Sequence, residues 1–290
     1  MQYHVDGTLV PEDEATVSVR DRGFMYGDAA FETLRAYGGD PFQWDAHRER
    51  LGRTAETLGF ADAVPEDLRG RVDETLAAND LEEAYVRLSV TRGVQPGKLT
   101  PGPDVDPTVV VICKGLQRGG LDGERVWDEP ASVQTVRTRR IPSEAVPAAA
   151  KTHTYLTGIL GRLELRTAAA GGEPADECLI RDMDGNLAEG ATSNLFFVTD
   201  NGLRTPSADL DLLPGVTRDV VMDIARGEEF PVETGHYSLD ALRDADEAFL
   251  TNSTWEIRPV ATVDGISVGT GPMTKLLQRL FDERIEARHY

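Results

Sequence analysis

Lys151 stands in the string Pro-Ala-Ala-Ala-Lys-Thr-His-Thr-Tyr-Leu (147–156), among small residues and just before an apolar helical pattern. A lysine amine withdrawn from water at such a place loses proton affinity and can act as a nucleophile. A solvated lysine at a helix start is the alternative that position alone leaves open. Glu189 lies in Ala-Glu-Gly-Ala-Thr-Ser-Asn-Leu-Phe-Phe, a glycine-bearing turn before a strand, where a lone carboxylate is usually solvated. The run Leu213-Pro214-Gly215-Val216-Thr217-Arg218 reads as a turn followed by a helix start. Its unpaired N–H groups and the positive end of the helix dipole suit a phosphate, although ordinary loop-to-helix junctions look the same. His47 and Arg50 fall at i, i+3 on one helix; Arg50 can grip a phosphate with two N–H groups, whereas His47 reads as a packed imidazole. The common nucleotide and hydrolase signatures, GxxxxGK[ST], GxGxxG after a strand and GxSxG, do not occur. Cys113 and Cys178 are isolated, without a CxxC pair or a histidine cluster, so neither a zinc site nor a redox motif is expected and no metal is assigned.

These groups need a scaffold, and the 290 residues are enough for about two domains of 100–200 residues. With 40% hydrophobic residues the chain can bury a full core, and no apolar run approaches the ~20 residues of a membrane span. Asp and Glu total 50 against 30 Lys and Arg, a net charge of −20. That charge repels phosphate backbones, which disfavours nucleic acid and anionic membranes and leaves small molecules as partners. Lys98, Lys114, Lys151 and Lys275 are the only lysines, and this acidic, lysine-poor surface resembles that of proteins from salt-loving organisms. The N-terminal stretch has neither a basic n-region nor an apolar h-region, so a cytoplasmic protein is expected.

Period-2 patterns at 2–5, 8–10, 16–19, 30–37, 85–91 and 108–113 predict strands, with a hairpin return at 42–44. Helical spacing at 45–58, with Asp45 as N-cap, and at 65–79 predicts two helices. The first domain is expected over 1–116 and the glycine-rich stretch within 117–126 as a linker. The second domain, 127–290, is expected to carry Lys151. Within it, strands are expected at 133–137, 177–181, 194–198, 248–251 and 260–263. Helices are expected at 155–170, 219–225 and 273–286, with Leu156, Ile159, Leu160, Leu163 and Leu165 on or near one face of the first. Meanders of strands with helices to one side favour an α+β architecture.

In this order and spacing, seven strings resemble the class IV aminotransferases, pyridoxal-phosphate enzymes of fold type IV. They are DRGFMYGDAAFETLRAY, H-x-x-R-L ending at Leu51, YVRLSVTRG, AKTHTYL, LAEGATSNLFF, LPGVTR and FLTNSTWEIRPVATVDG. The resemblance spans nearly the whole chain and implies a two-domain α+β fold with the cofactor at the domain interface, in a homodimer. It implies pyridoxal 5'-phosphate as cofactor and Lys151 as the Schiff-base lysine. Arg50 matches the arginine on the cofactor phosphate, Tyr155 the tyrosine on the ring hydroxyl, and Glu189 the acid beside the pyridine nitrogen. Leu213 matches the residue packed on the ring, while Val216, Thr217 and Ser253 match further phosphate contacts. Phe31, Thr33, Tyr85, Arg87 and Thr254 match positions lining the substrate pocket.

The resemblance implies transamination between an amino acid and a 2-oxo acid of branched-chain type. Thr33 stands where branched-chain aminotransferases usually carry the glycine of F-E-G, and FETLR with FLTNS is closer to 4-amino-4-deoxychorismate lyases, which release pyruvate and 4-aminobenzoate. Glu256-Ile257-Arg258-Pro259-Val260 resembles the aminotransferase ending. The stretch Thr91–Leu99 lacks the Arg-x-His carboxylate clamp of D-amino-acid aminotransferases, so D-specificity is disfavoured. A catalytically silent cofactor-binding protein is a further alternative; the joint presence of Lys151, Glu189 and Arg50 counts against it.

Overall fold

The computed structural model describes residues 1–118 and 125–290 and divides into two units. The first comprises Met1–Arg118, Ala150–Thr154 and His289–Tyr290; the second comprises Gly119–Ala149 and Tyr155–Arg288. Most of the expected linker, 119–124, lies outside the described residues. Lys151, expected in the second domain, groups with the first. The physical reason is backbone pairing: Phe31 N–H donates to the Lys151 carbonyl (3.0 Å) and His153 N–H to that of Ala29 (3.1 Å).

The first unit runs β1 (Gln2–Val5), β2 (Thr8–Pro11), α1 (Arg22–Tyr26), β3 (Ala29–Tyr37), β4 (Asp40–Pro41), α2 (Trp44–Thr57), α3 (Leu68–Ala78), β5 (Ala84–Thr91) and β6 (Val109–Gly115). Its antiparallel sheet has the order β2-β1-β6-β5-β3-β4. Alternation decides which face is covered. Ala30, Leu34 and Ala36 of β3, Ala84, Val86, Leu88 and Val90 of β5, and Val109, Val111 and Cys113 of β6 form one apolar cluster. It is completed by Leu51 and Ala55 of α2 and Leu68, Val72 and Leu76 of α3. Each such leucine or valine contributes about 1.5–3 kcal/mol by burial. The residues between them, Phe31, Thr33, Tyr85, Arg87 and Ser89, therefore project from the other face.

Three local expectations change here. Residues 16–19 form no strand, and the hairpin return from β3 is Asp40–Pro41 rather than 42–44. Helix α2 begins at Trp44 after Gln43, which takes φ +53°, so Asp45 lies in the first turn instead of capping it.

The second unit runs β7 (Ala131–Arg139), α4 (Leu156–Ala168), β8 (Glu177–Arg181), β9 (Leu187–Gly190), β10 (Asn194–Thr199), β11 (Gly202–Pro206) and α5 (Val216–Gly227). It continues with β12 (Val232–Gly235), α6 (Leu239–Arg243), β13 (Glu247–Asn252), β14 (Glu256–Val263), β15 (Ile266–Ser267) and α7 (Pro272–His289). Its mixed sheet has the order β12-β11-β10-β13-β14-β7-β8-β9, with β15 on β14. Parallel pairs are β11/β12, β14/β7 and β7/β8. The α+β expectation holds in both units. On α4, Leu156, Ile159, Leu160 and Leu163 are exposed, while Gly158, Gly161 and Leu165 are buried. Small residues win the inward side because the sheet comes close; a Cβ on Gly161 would lie 2.8 Å from Cys178 Sγ. Both cysteines are free and buried, and burial pushes their thiols to about 12.

Gly93 follows β5 with φ +76°, and a Cβ there would overlap the Asp106 carbonyl oxygen. Gly93→Ala is expected to lower stability by about 2 kcal/mol or more through backbone strain and displacement of the facing strand entry. Urea denaturation checks this, and an unchanged midpoint would contradict it.

Candidate active site

In the first unit, register decides which residues share the sheet face turned away from the helices. Phe31 pairs with Ser89, Thr33 with Arg87 and Arg35 with Tyr85, and cross-strand partners share a face. The segment Ala150–Thr154 lies antiparallel beside the start of β3, with a bridge between Ala30 and Thr152. Two-residue alternation then puts Lys151 and His153 together on one side. Lys151 Nζ is 4.4 Å from the centroid of the Phe31 ring, and the Arg87 guanidinium carbon is 4.0 Å from it. The His153 ring meets Phe31 edge-on at 5.5 Å, and its Nε2 lies 3.2 Å from Ser89 Oγ. Five of the residues expected from sequence, Phe31, Thr33, Tyr85, Arg87 and Lys151, thus lie on one face of this sheet.

The backbone of Lys151 is tied down from a second direction: its N–H donates to Thr54 Oγ1 (3.0 Å), whose hydroxyl donates to the Arg50 carbonyl (3.0 Å). Arg50 itself lies on the helix-covered side. Its Nε donates to Glu32 Oε1 (2.8 Å) and its Nη2 to Glu32 Oε2 (2.6 Å), with His47 Nδ1 2.8 Å from the same Oε2. All three side chains are buried. The arginine and histidine hold the Glu32 carboxyl down at about 2 against the burial that would raise it, while burial pushes the His47 imidazole down. The reading of His47 as a packed imidazole agrees with this geometry. Sequence reasoning does not single out Glu32, Thr54 or His153; Glu32 sits between two pocket positions, and only its alternation with Phe31 and Thr33 marks it as facing the other way.

In the second unit, Glu189 of β9 is buried, with Oε2 accepting from the Leu213 N–H (3.0 Å) and Oε1 3.2 Å from Arg140 Nη1. Asn194 donates from Nδ2 to the Leu213 carbonyl (2.9 Å) and reaches Glu189 Oε2 at 3.5 Å. The carboxylate, the Leu213 turn and the start of α5 are thereby locked together. Gly215 caps α5, and a Cβ there would collide with Asn194 Oδ1, so only glycine admits this approach. Val216 and Thr217 open the helix, buried, with no side chain capping the turn. A buried helix start left without a side-chain cap is suited to an anion.

Ser253 and Thr254 lie in the turn between β13 and β14. Asn252 Oδ1 organises it by accepting from Thr254 N–H (3.0 Å), Thr254 Oγ1 (3.0 Å) and Trp255 N–H (2.7 Å). Asn194 pairs across strands with Thr251, so this turn belongs to the same sheet end as Glu189's partner. Tyr155 is the residue before α4 and is half-buried. Arg140 and Asn194, which hold Glu189 and Leu213, escape sequence reasoning because neither stands in a distinctive spacing.

A family model described as amino-transferase class IV matches residues 29–263. The chain is 35% identical to a Methanocaldococcus jannaschii protein assigned as a branched-chain-amino-acid aminotransferase, over 98% of this chain and 96% of the relative. It is 32% identical to the aminodeoxychorismate lyase of Bacillus subtilis, over 98% of this chain and 94% of that protein. Among solved structures it is similar to the T.th. branched-chain amino acid aminotransferase with pyridoxamine 5'-phosphate. There the TM-score is 0.88 and the identity 29%, over 99% of this chain and 94% of that one.

Burial, with the Arg87 charge nearby and only Asp21 opposing, lowers His153 from 6.5 to about 4. The unfolded chain therefore takes up this proton first on acidification. The contribution of this group to stability is full above pH 6.5 and is lost as pH falls from there toward about 4. His153→Gln is expected to remove that component, so the variant's urea midpoint declines less across this window than that of the parent; equal declines would contradict the assignment.

Proposed function

Because this chain belongs to the amino-transferase class IV family, we propose that it transfers an amino group between a branched-chain-type amino acid and a 2-oxo acid with pyridoxal 5'-phosphate. The observation that carries this reading is the Lys151 amine held beside Phe31 and Arg87 on the sheet face turned away from the helices of the first unit.

The donor set fits the cofactor. A buried carboxylate fixed by an N–H and an arginine, a helix start without a side-chain cap and a hydroxyl-bearing turn are what a cationic ring nitrogen and a phosphate require. When bound, pyridoxal phosphate supplies an electron sink that allows a Cα–H bond of an amino acid to break heterolytically. Glu189 would keep the ring nitrogen protonated, and Arg140 and the Leu213 N–H keep Glu189 in place. Tyr155 would donate to the ring hydroxyl and Leu213 would pack on the ring. Arg50, the Val216 and Thr217 N–H groups and the Ser253 hydroxyl would bind the phosphate. Lys151 Nζ would hold the cofactor and, once released, would take up the Cα proton and deliver it to the cofactor carbon, so that the substrate leaves as a 2-oxo acid. Phe31, Thr33, Tyr85, Arg87 and Thr254 bound the substrate.

The exposed apolar side of α4, with Leu156 at 60% and Ile159 at 61% accessibility, together with exposed Val19, Phe24 and Leu99 in the first unit, supports a homodimer. The lysine-poor, acidic composition supports a salt-adapted protein. Among the described residues no helix is long and apolar enough to cross a membrane, and we place the protein in the cytoplasm. The second reading, aminodeoxychorismate lyase, rests on Phe31-Glu32-Thr33-Leu34-Arg35 and on the similarity to the Bacillus enzyme.

Parallel assays separate the two. Glutamate from leucine plus 2-oxoglutarate is expected; pyruvate and 4-aminobenzoate from aminodeoxychorismate, without glutamate in the first assay, would make the protein a lyase. Lys151→Ala is expected to abolish turnover and the visible absorbance of covalently held cofactor, and full retained activity would overturn the assignment. Thr33→Gly is expected to shift kcat/KM toward larger branched substrates; an unchanged specificity profile would remove Thr33 from the pocket.

A further inference from the structure

Glu32 sits in the middle of β3 between Ala30 and Leu34, on the face covered by α2 and α3, whereas Phe31 and Thr33 face the other way. Its carboxylate is 1% exposed and cannot reach a substrate lying against Phe31. A buried ion is costly unless each of its lone pairs is used, and here both oxygens are used: Oε1 by Arg50 Nε, Oε2 by Arg50 Nη2 and by His47 Nδ1. One edge of the Arg50 fork is thus clamped in the fixed two-bond geometry that a guanidinium and a carboxylate share. His47, one turn before Arg50 on α2, faces an anion through Nδ1, so that nitrogen carries the proton, and it fixes the carboxylate in turn. A salt bridge built only for stability would need no third member; burying an imidazole to steady the acid is the arrangement by which a supporting shell aims a binding group.

We propose that Glu32 and His47 are positioning residues that set the Arg50 guanidinium for the phosphate of the cofactor. The inference rests on the reading of Arg50 as a phosphate ligand given above. It predicts that the pair governs the phosphate-dependent part of cofactor affinity and leaves the rest alone. Its opposite is equally definite: if Glu32 merely neutralised Arg50, removing its charge would strengthen the grip on a phosphate.

The test titrates the full-length apoprotein with pyridoxal phosphate and, separately, with pyridoxal, which lacks the phosphate. The ratio of the two dissociation constants reports the phosphate contribution, and a general loss of structure would weaken both ligands alike. Glu32→Gln is expected to cut the preference for the phosphorylated form roughly tenfold, the scale of one lost hydrogen bond to a charged group. His47→Leu, which fills space without a donor, is expected to cut it as well. His47→Asn, whose amide nitrogen stands where Nδ1 stood, is expected to restore most of it. The histidine pair keeps the test decisive if Glu32→Gln does not fold. An unchanged or increased ratio in Glu32→Gln and His47→Leu, with a reduced ratio in Arg50→Gln, would overturn the inference alone. An unchanged ratio in Arg50→Gln would overturn the phosphate assignment of Arg50 and the inference with it.

Discussion

Two backbone hydrogen bonds, from Phe31 N–H to the Lys151 carbonyl and from His153 N–H to that of Ala29, govern where the chemistry of the first unit can occur. They make the segment Ala150–Thr154 an extra, strand-like neighbour of β3, and period-2 alternation then fixes Lys151 and His153 on one side. A side-chain contact would leave a lysine free to wander over its four-carbon stem. A backbone ladder, seconded by Thr54 on α2, removes that freedom at its root. From this pairing follows the apposition of the amine with the Phe31 ring, over which Arg87 also lies, and of His153 with Ser89, because those residues are already in register on β3 and β5.

The same economy governs the buried carboxylates. Glu32 and Glu189 each lie inside one unit, and each is matched by an arginine, Arg50 and Arg140, and by an N–H donor, from His47 and from Leu213. Such matching offsets desolvation and fixes orientation, and a buried acid held this way is rigid as well as charged. At Glu189 the fixing extends through Asn194 to the Leu213 turn and the start of α5. One side chain thus couples the acid to the helix start, and Gly215 is the residue that permits the approach.

Much of this is legible in the sequence. Alternation in Tyr85–Thr91 and the β-branched run ending at Cys113 mark two adjacent strands of one sheet, because one face of each is packed on helices. The spacing of seven strings points to the family, and the family model matches residues 29–263. What fails does so for physical reasons. The apolar pattern of α4 marks the helix without showing which side packs: Gly158, Gly161 and Leu165 turn inward, and at Gly161 a Cβ would press on Cys178 of β8. Residues 16–19 alternate like a strand but pair with none. Sequence distance puts Lys151 with the second domain, while its non-local pairing with β3 joins it to the first. Glu32 escapes notice because its partners, His47 and Arg50, lie on a separate helix, and nothing local marks it.

The account stands on Lys151 as the amine that carries the cofactor, and a chain with only four lysines allows a direct trial. The full-length protein is loaded with pyridoxal phosphate, reduced with borohydride so that the cofactor stays on whichever amine held it, digested and mapped by mass spectrometry. The modification is predicted on the peptide containing Lys151 and not on those containing Lys98, Lys114 or Lys275. Stoichiometric labelling of any of those three, with Lys151 unmodified, would contradict the assignment and with it the chemistry assigned to this face of the sheet.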